Sequence, residues 1–466
     1  MPPPAAPIGA SRARAPDAVR QAAGSTAWLL PFVVTLFFAW GFATVMIDSL
    51  IPKLKGVFEL NYAQSTLIAS AFFIAYFVAS LPAGVLLARI GYLRSIVAGL
   101  VIMAIGCLLF SPAASAGVYW GFLAALFIMA AGITILQVAA NPLIAILGPP
   151  SKSHFRLNLA QALNSLGTFV GPFVGAAFIL KSGVTPPDPH STSPAALATY
   201  RVTEAHAVEA PFLGIAAGLA ILALVFWIFR KSQDVPTAAS NDVGLKSFTL
   251  LRRPRLALGV LGIFLYVGAE VTIGSLMVNY LTQPKILSVT ASAICRPVPF
   301  DQLRLIYPCI HSPADAGKMV AFYWLGAMVG RLVGSVLLFA KVPAGRLLGI
   351  CGLGAVALVT TSILTSGWAS AYALIAVGLV NSIMFPTIFT LALEDQGKDT
   401  GQASSLLCMA IVGGGVIPPL TGLAADRMGL SLALFVPVAC YLLIALYGEF
   451  SHSRRPLGDA PVGFAP

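Results

Sequence analysis

Residues 28–52 read WLLPFVVTLFFAWGFATVMIDSLIP, and Asp48 is the single charged residue among them. The hydrocarbon core of a bilayer, about 30 Å thick, is crossed by a helix of about 20 apolar residues. The segment is therefore predicted to span a membrane. A carboxylate in such a helix costs about 2.5–3.5 kcal/mol on insertion scales and normally faces a protein interior or a watery cavity. Asp48 is predicted to be functional, and a place near the outer interface, with Lys53 following, is the structural alternative.

The composition extends this prediction to the whole chain. Of the 466 residues, 58% are hydrophobic and 10% are charged, whereas about 25% are charged in soluble domains. Mean hydropathy is +0.89, and apolar runs as long as the first recur along the chain. These values predict an all-α membrane protein. The formal charge of +11 does not indicate a nucleic-acid partner, because the basic residues stand singly between apolar runs.

Turn residues and charges divide the chain into twelve transmembrane helices in two six-helix halves. The predicted spans are 27–52, 63–88, 94–112, 118–147, 157–180, 210–230, 255–281, 317–340, 345–366, 370–393, 401–425 and 430–450. The domains are a disordered cytoplasmic tail at 1–26, a first half at 27–230, a cytoplasmic linker at 231–254, a second half at 255–451 and a cytoplasmic tail at 452–466.

The basic residues predict the orientation in the membrane. With both termini in the cytoplasm, the inner segments hold about twice as many Lys and Arg as the outer ones, as the positive-inside rule requires. The first apolar run exceeds the core of about 7–15 residues in a signal peptide, so no cleavage is expected. We therefore expect a multi-pass protein of the cell inner membrane.

The two halves resemble each other in sequence. GITILQVAANP in helix 4 places Gln137 five residues before Pro142, and GLVNSIMFP in helix 10 places Asn381 five residues before Pro386. FAWGFATVMIDSL in helix 1 and FLYVGAEVTIGSL in helix 7 also carry an aromatic residue, a glycine and an acid in similar places. Weak internal similarity of this kind is typical of repeat-built transporters, whose binding sites lie near mid-membrane between the repeats.

Two more ionisable residues lie inside predicted spans. Glu270 is fifteen residues from both Arg255 and Lys285, too far to reach either interface easily. It is predicted to be functional, with an ion pair to Arg331 as the structural alternative. Arg331, ten residues from Lys341, is predicted to pair across a cytoplasmic gate rather than to touch substrate.

Amides form a second group of polar residues in the spans. Asn158, Gln161 and Asn164 are spaced by three in helix 5, and Gln137 and Asn141 are four apart in helix 4, so each set shares a helical face. Amides donate and accept hydrogen bonds, which suits a ligand covered in hydroxyls. Hydrogen bonding between helices is the structural alternative. Aromatic residues available to cover sugar C–H groups are Trp40, Phe73, Tyr76, Tyr266, Tyr323 and Trp324.

Enzyme motifs are absent from the sequence. It contains no HExxH, GxSxG or P-loop motif. All five histidines are predicted in loops or tails, so we expect no haem or metal ligation by histidine inside the bundle. No cofactor is expected apart from a coupling cation.

Several long segments carry a family resemblance. Twelve spans in two halves, with LPAGVLLARIGYLRS between helices 2 and 3, resemble the major facilitator superfamily, although Ala88 stands where an Asp is usual. The chain from about Leu36 to Leu443 is similar to the fucose permease and glucose/galactose transporter group. The segments that carry this similarity are QVAANPLIAILGPPSKSHFRLNLAQALNSLG, YVGAEVTIGSLMVNYL and FPTIFTLALEDQGKDTGQASS.

The resemblance implies roles for individual residues. Asp48 matches the helix 1 acid implicated in cation coupling and sugar recognition, while Ile47 replaces the usual Asn before it. Gln137 stands where fucose permeases carry Glu, and Glu270 where they carry Gln, which indicates the glucose/galactose branch. The expected substrate contacts are Asp48, Gln137, Asn141, Gln161, Asn164, Glu270, Trp40, Tyr323 and Asn381. The expected coupling residues are Asp48, Thr44 and Gln137.

These observations predict a monomeric symporter in the lipid bilayer that takes up a neutral hexose, glucose or galactose, by alternating access. Na+ or H+ is the coupling ion, and the oxygen ligands at Asp48, Thr44 and Gln137 favour Na+ slightly. The alternatives are a fucose or other sugar/proton symporter, and a drug/proton antiporter, which would prefer a less polar cavity.

The six cysteines fall into two groups. Those predicted within spans, and therefore reduced, are Cys107, Cys351, Cys408 and Cys440. Cys295 and Cys309 share the outward loop 282–316, which is longer than in the similar proteins, and are predicted to form a disulfide in an oxidising periplasm.

Overall fold

Twelve long helices make up most of the part of the chain that the structure describes. This computed structural model describes residues 29–58, 62–147, 149–178, 203, 206, 208–230, 244–287 and 313–453. The first six helices are α1 Leu30–Phe58, α2 Tyr62–Ile90, α3 Tyr92–Leu108 continued by Phe110–Ala116, α4 Tyr119–Ile146, α5 Ser153–Phe178 and α6 Glu209–Phe229. The second six are α7 Pro254–Leu281, α8 Pro313–Phe339, α9 Ala344–Leu364, α10 Gly367–Asn381 with Met384–Leu393, α11 Thr400–Met409 with Gly413–Met428, and α12 Leu430–Ala433 with Phe435–Ser453.

Eleven of these helices are long and apolar enough to cross a membrane by themselves. The helix that falls short is α5, which carries the amides Asn158, Gln161 and Asn164. Apolar side chains on the outside of the bundle are strongly exposed, for example Ile221 at 65% and Val336 at 66%. Such surfaces are stable in lipid, so the prediction of a twelve-helix membrane bundle is confirmed.

The same helix pairings occur in both halves. In the first half α1 packs on α5, α4 on both α2 and α3, and α3 on α6. In the second half α7 packs on α11, α10 on both α8 and α9, and α9 on α12. Each pairing of the second half therefore repeats one of the first, six helices further along the chain. This correspondence confirms the pseudo-symmetric architecture that the repeated motifs predicted.

Small residues bring α3 and α4 together. A Cβ atom on Gly106 of α3 would overlap the backbone of Met129, and one on Gly132 of α4 would overlap the backbone of Met103. Small residues at such crossings let helix backbones approach closely, which is how membrane helices gain packing without a hydrophobic driving force.

The two halves meet mainly through α5 with α8 and α2 with α11. We call the end of the bundle that holds the short helical turns Pro150–Lys152 and Gly397–Asp399 the linker end. The helix of 3-10 type Gly244–Arg252, which leads from the linker into α7, lies there as well. The Ser404 hydroxyl of α11 donates to the carbonyl of Val138 in α4 over 2.9 Å. Contacts of this kind close the linker end of the bundle.

Two differences from the predicted spans affect residues of the expected site. The first helix was expected to end at 52, but α1 continues through Pro52 to Phe58, so Asp48 is ten residues from the helix end. Proline is tolerated inside membrane helices because neighbouring groups can satisfy the freed carbonyl. The tenth helix is broken between Asn381 and Met384, inside the span predicted as continuous.

The cysteines predicted within spans are free thiols in the structure: Cys107, Cys351, Cys408 and Cys440. Cys295 and Cys309 lie outside the described residues, so their disulfide stays a prediction.

Candidate functional site

Glu270 is the centre of a polar cluster in the second half. It lies in the middle of α7, and its side chain is 14% exposed. The hydroxyl of Tyr266, one turn earlier, donates to Glu270 Oε1 over 2.7 Å. Arg331 Nη2 of α8 lies 4.0 Å from the same oxygen. The predicted proximity of Glu270 and Arg331 is therefore observed, at a separation longer than a direct hydrogen bond.

Arg331 connects this cluster to the first half. Its Nε donates to the carbonyl of Ser382, at the break in α10, over 2.9 Å. Its Nη1 donates to the carbonyl of Gln161, 3.3 Å away, and to the hydroxyl of Ser165, both on α5. Arg331 is buried, with 7% of its surface exposed. Its guanidinium thus connects the two halves and lies 4.0 Å from Glu270. The sequence does not reveal its α5 partners, because they lie more than 160 residues away.

Tyr323 and Asn381 lie directly beside this cluster. Asn381 Nδ2 donates to the hydroxyl of Tyr323 over 2.7 Å and to that of Tyr441 over 3.3 Å. The Tyr323 hydroxyl is 3.5 Å from the carbonyl oxygen of Glu270. Hydrogen bonds of Asn381 therefore link α10 to α8 and α12, and the Tyr323 hydroxyl links this group to α7. Tyr441 was missed from the sequence because nothing in its apolar surroundings marks it as polar or functional.

In the first half, Gln137 and Trp40 are held by aromatic neighbours. Gln137 Nε2 of α4 donates to the hydroxyl of Tyr76 in α2 over 2.8 Å. Trp40 of α1 is 3% exposed and packs against Phe37 with ring centroids 4.1 Å apart. This bond uses the amide nitrogen of Gln137, and its carbonyl oxygen, which can accept, has no hydrogen-bond partner among the described residues.

Two of the expected coupling residues lie on α1. Thr44 is partly buried, one turn before Asp48. Asp48 belongs to the helix, but its side chain is outside the described part of the structure. The proposed grouping of Asp48, Thr44 and Gln137 stays a prediction.

The amides of α5 have different partners. Asn164 Nδ2 donates to the carbonyl of Phe37 in α1 over 3.1 Å. Asn158 Nδ2 donates to the carbonyl of His154 over 2.9 Å and lies 3.4 Å from Thr387 Oγ1 in α10. Gln161 contributes its backbone carbonyl to Arg331. For Asn158 and Asn164 the inter-helix hydrogen bonding considered above is what the structure shows.

Asn141 of α4 is fully buried, and within the described residues its side chain makes no hydrogen bond to a nitrogen or oxygen atom, the Cys408 thiol of α11 being its polar neighbour. An unpaired buried amide costs about 1–3 kcal/mol. This makes Asn141 the expected substrate contact whose hydrogen-bonding capacity is least used by the protein itself.

The histidine prediction is wrong for His154. It was expected in a loop, but α5 begins at Ser153, directly after the helical turn Pro150–Lys152, so His154 is helical and buried. Proline and serine are signals of a helix start, and PPSKSH contains both. His452, expected in a tail, belongs to α12.

His154 joins the two halves at the linker end. Its Nδ1 is 2.5 Å from Thr390 Oγ1, and its Nε2 is 3.0 Å from Glu394 Oε1. Both partners belong to the second half, at the end of α10. Glu394 Oε2 in turn pairs with Arg255 Nη2 of α7 over 2.9 Å. The carboxylate thus has one basic partner in its own half and the imidazole of the other half.

Among the residues that the structure describes, no three of His, Cys, Asp and Glu are grouped so as to hold a metal ion.

Comparison with known proteins agrees with this architecture. The Major Facilitator Superfamily profile matches residues 31–419. The chain is 44% identical to the glucose/galactose transporter of Brucella abortus over 90% of its own length and 93% of the relative's. It is 32% identical to the L-fucose-proton symporter of Escherichia coli, over 92% and 95%.

Solved structures give the same result. Two crystal structures of FucP, the fucose:proton symporter of E. coli, match this chain: the N162A variant and the outward conformation. Each has a TM-score of 0.76 at 30% identity. Each match covers 91% of this chain and 98% of the other. The chain therefore belongs to the Major Facilitator Superfamily, in the group of the fucose and glucose/galactose transporters.

Proposed function

We propose that this protein is a symporter that takes up a neutral hexose, glucose or galactose, across the inner membrane with both termini in the cytoplasm. The observation that carries the proposal is Glu270, a carboxylate in mid-helix beside the boundary of the two halves. One of its oxygens is bonded to Tyr266, and Oε2 makes no hydrogen bond within the described residues. A relative with 44% identity, named a glucose/galactose transporter, supports the choice of substrate.

Glu270 is proposed to bind the sugar directly. A carboxylate can accept hydrogen bonds from two adjacent hydroxyls, and these bonds are about twice as strong as neutral ones. Asn141, whose buried amide makes no hydrogen bond to a nitrogen or oxygen atom of the described residues, is proposed to contact the same sugar from the first half. Trp40, Gln161 and the remaining expected contacts complete the proposed site.

The closed linker end suggests which state of the cycle the structure represents. With that end in the cytoplasm, contacts of Arg331 with α5 and of His154 with Glu394 block release to the inside. We therefore propose that the structure is closed towards the cytoplasm, as in an outward-facing or occluded state, and we assign Arg331 to the gate. Inward release requires these contacts to break while the two halves rock around the site.

The coupling cation is proposed to bind near Asp48. Gln137, whose amide nitrogen bonds Tyr76, offers its carbonyl oxygen, and Thr44 offers a hydroxyl. Hard cations such as Na+ prefer oxygen ligands of this type, so we propose Na+. The E. coli relative is named a proton symporter, which makes H+ the competing ion.

Uptake of radiolabelled hexose into proteoliposomes tests both parts of the proposal. A sodium gradient and a pH gradient are imposed separately, and unlabelled glucose, galactose and L-fucose compete with the label. Accumulation of glucose or galactose driven by sodium supports the proposal. Accumulation driven by pH alone changes the ion to H+, and competition by L-fucose alone changes the substrate to that of the E. coli relative.

A further inference from the structure

A groove on the outside of the first half has chemistry that sugar transport does not use. It lies between α3 and α6 at the linker end and has a volume of about 570 Å³, within the roughly 300–1,000 Å³ of small-molecule sites. Its lining consists of Ile90, Arg94, Val97, Ala98, Val101, Ile102, Trp227 and Arg230. The lining therefore combines two arginines with six apolar residues.

The arginines are placed at the mouth of the groove, where the helices reach the membrane surface. Arg94 is in the first turn of α3, and Arg230 directly follows α6. Arg94 is exposed and makes no hydrogen bond or ion pair with any residue that the structure describes. Its positive charge is therefore not neutralised by the described protein.

Arg230 is held in position by its own helix. Its guanidinium carbon lies 3.8 Å from the centroid of the Trp227 ring, and its Nη1 donates to the Trp227 carbonyl over 2.5 Å. Stacking of this kind fixes a guanidinium while leaving other N–H groups free to donate. Such a planar donor set matches the oxygens of a phosphate.

The apolar wall continues from these charges towards the middle of the bilayer. Val101, two turns further along α3, is 43% exposed, and Trp227 is 49% exposed. These side chains face the space that lipid chains fill in a membrane. A ligand that satisfies both parts of the groove needs an anionic group at one end and a long apolar chain at the other.

We propose that this groove binds an anionic glycerophospholipid, with its phosphate between Arg94 and Arg230 and an acyl chain along Val97, Val101 and Trp227. Basic pockets between membrane helices bind anionic lipid head groups on the cytoplasmic side, which is where the linker end lies in the proposed orientation. A sugar does not fit this wall, because a sugar needs polar partners.

A second groove on the same half provides an internal comparison. It lies between α1, α5 and α6 and has a similar volume of about 580 Å³. It is lined by apolar residues, such as Phe38, Phe42 and Pro211, and by no charged residue. Any acyl chain can enter that groove, so it does not distinguish lipids by charge. Selectivity for anionic lipid must therefore arise from the arginines.

Native mass spectrometry of the full-length protein in detergent tests the proposal. The ligands are dioleoyl phosphatidylglycerol, which is anionic, and dioleoyl phosphatidylcholine, which has the same chains but no net charge. Near a membrane surface each basic residue contributes about fivefold to the affinity for anionic lipid, so the two arginines predict a preference of about 30-fold. The double variant Arg94→Gln/Arg230→Gln is expected to lose this preference.

The single variant Arg94→Gln guards against a folding defect, because Arg94 is exposed and makes no hydrogen bond or ion pair with any described residue. It is expected to lower the preference by about fivefold. The matched control is Arg346→Gln. Arg346 is exposed and holds the same place in α9 that Arg94 holds in α3, but it does not line the groove. This control should keep the full preference.

Three results would overturn the proposal. The first is equal binding of the two lipids by the wild-type protein. The second is an unchanged preference in Arg94→Gln. The third is displacement of phosphatidylglycerol by an equal concentration of inorganic phosphate, which would identify a site for a free anion instead of a lipid.

Discussion

His154→Ala is expected to open the linker end of the transporter. The imidazole is the side chain of the first half that reaches Glu394 and Thr390 of α10, over 3.0 Å and 2.5 Å. The contact exists while the linker end is closed, and it must break when the halves separate there. Removing it therefore destabilises one conformation selectively.

The size of the effect follows from the partners that remain. Glu394 keeps its ion pair with Arg255 at 2.9 Å, so the variant does not leave an uncompensated buried charge. The Thr390 hydroxyl keeps its hydrogen bond to the Pro386 carbonyl at 2.8 Å. The main loss is one hydrogen bond to an ionised acceptor, worth about 1.5–3 kcal/mol. This shifts the equilibrium between closed and open linker ends by about 10- to 150-fold.

Cys408 provides the measurement. It is fully buried and lies one turn after Ser404, whose hydroxyl bonds the Val138 carbonyl of the other half. In a protein whose other five cysteines are replaced by Ala, the rate of N-ethylmaleimide labelling reports how often this interface opens. The rate in His154→Ala should rise by about tenfold or more over the His154 parent.

The matched control is His206→Ala. His206 Nδ1 is 2.9 Å from Glu209 Oε1, a contact of the same chemistry that lies within the first half. Its loss should leave the labelling of Cys408 unchanged. If His154→Ala also labels at the parent rate, the contact with Glu394 does not stabilise the closed linker end, and the reasoning is refuted.

Three further predictions concern the sugar, the cation and the outer loop. Glu270→Gln keeps the size of the side chain but loses its charge, so hexose affinity measured by competition should weaken by about 1–3 kcal/mol while the cation requirement persists; normal transport would contradict this. Asp48→Asn should abolish accumulation driven by a gradient but leave part of the exchange between equal sugar concentrations, and accumulation at the wild-type level would remove Asp48 from coupling. Cys295 and Cys309 should resist thiol labelling until they are reduced, because a disulfide closing so short a loop contributes about 3 kcal/mol; labelling of both in unreduced protein would exclude the bond.

The twelve helices could be predicted because a bilayer imposes a length and a hydropathy on each span. Helix α5, which is not apolar enough to count as a span by itself, was still predicted from turn and charge signals, although its start was placed four residues too late. The consequence was that His154 was expected in a loop. The physical cause is local: a polar first turn carries no hydropathy signal, so the sequence of that turn gives only capping and proline cues.

The contacts between the halves could not be predicted from local patterns. The imidazole of His154 and the carboxylate of Glu394 are 240 residues apart, and Arg331 is 166 residues from Ser165. Periodicity states which face of a helix is polar, but it does not state which helix of the other half will meet that face. Glu270 was easier to identify, because a lone carboxylate in mid-span is conspicuous in the sequence itself.

Arg331 connects the proposed sugar site with the proposed gate. Its hydrogen bonds to Gln161 and Ser165 belong to the first half, while Ser382 and Glu270 belong to the second. Separation of the halves at the linker end removes the α5 acceptors of the guanidinium, whereas Ser382 and Glu270, the latter 4.0 Å away in the closed state, belong to its own half. A sugar bound to Glu270 competes for the carboxylate that Arg331 would then need. By linkage, the position of the gate must in turn affect the affinity of Glu270 for sugar. One buried cation shared between two groups of acceptors is thus sufficient to couple the binding site to the gate.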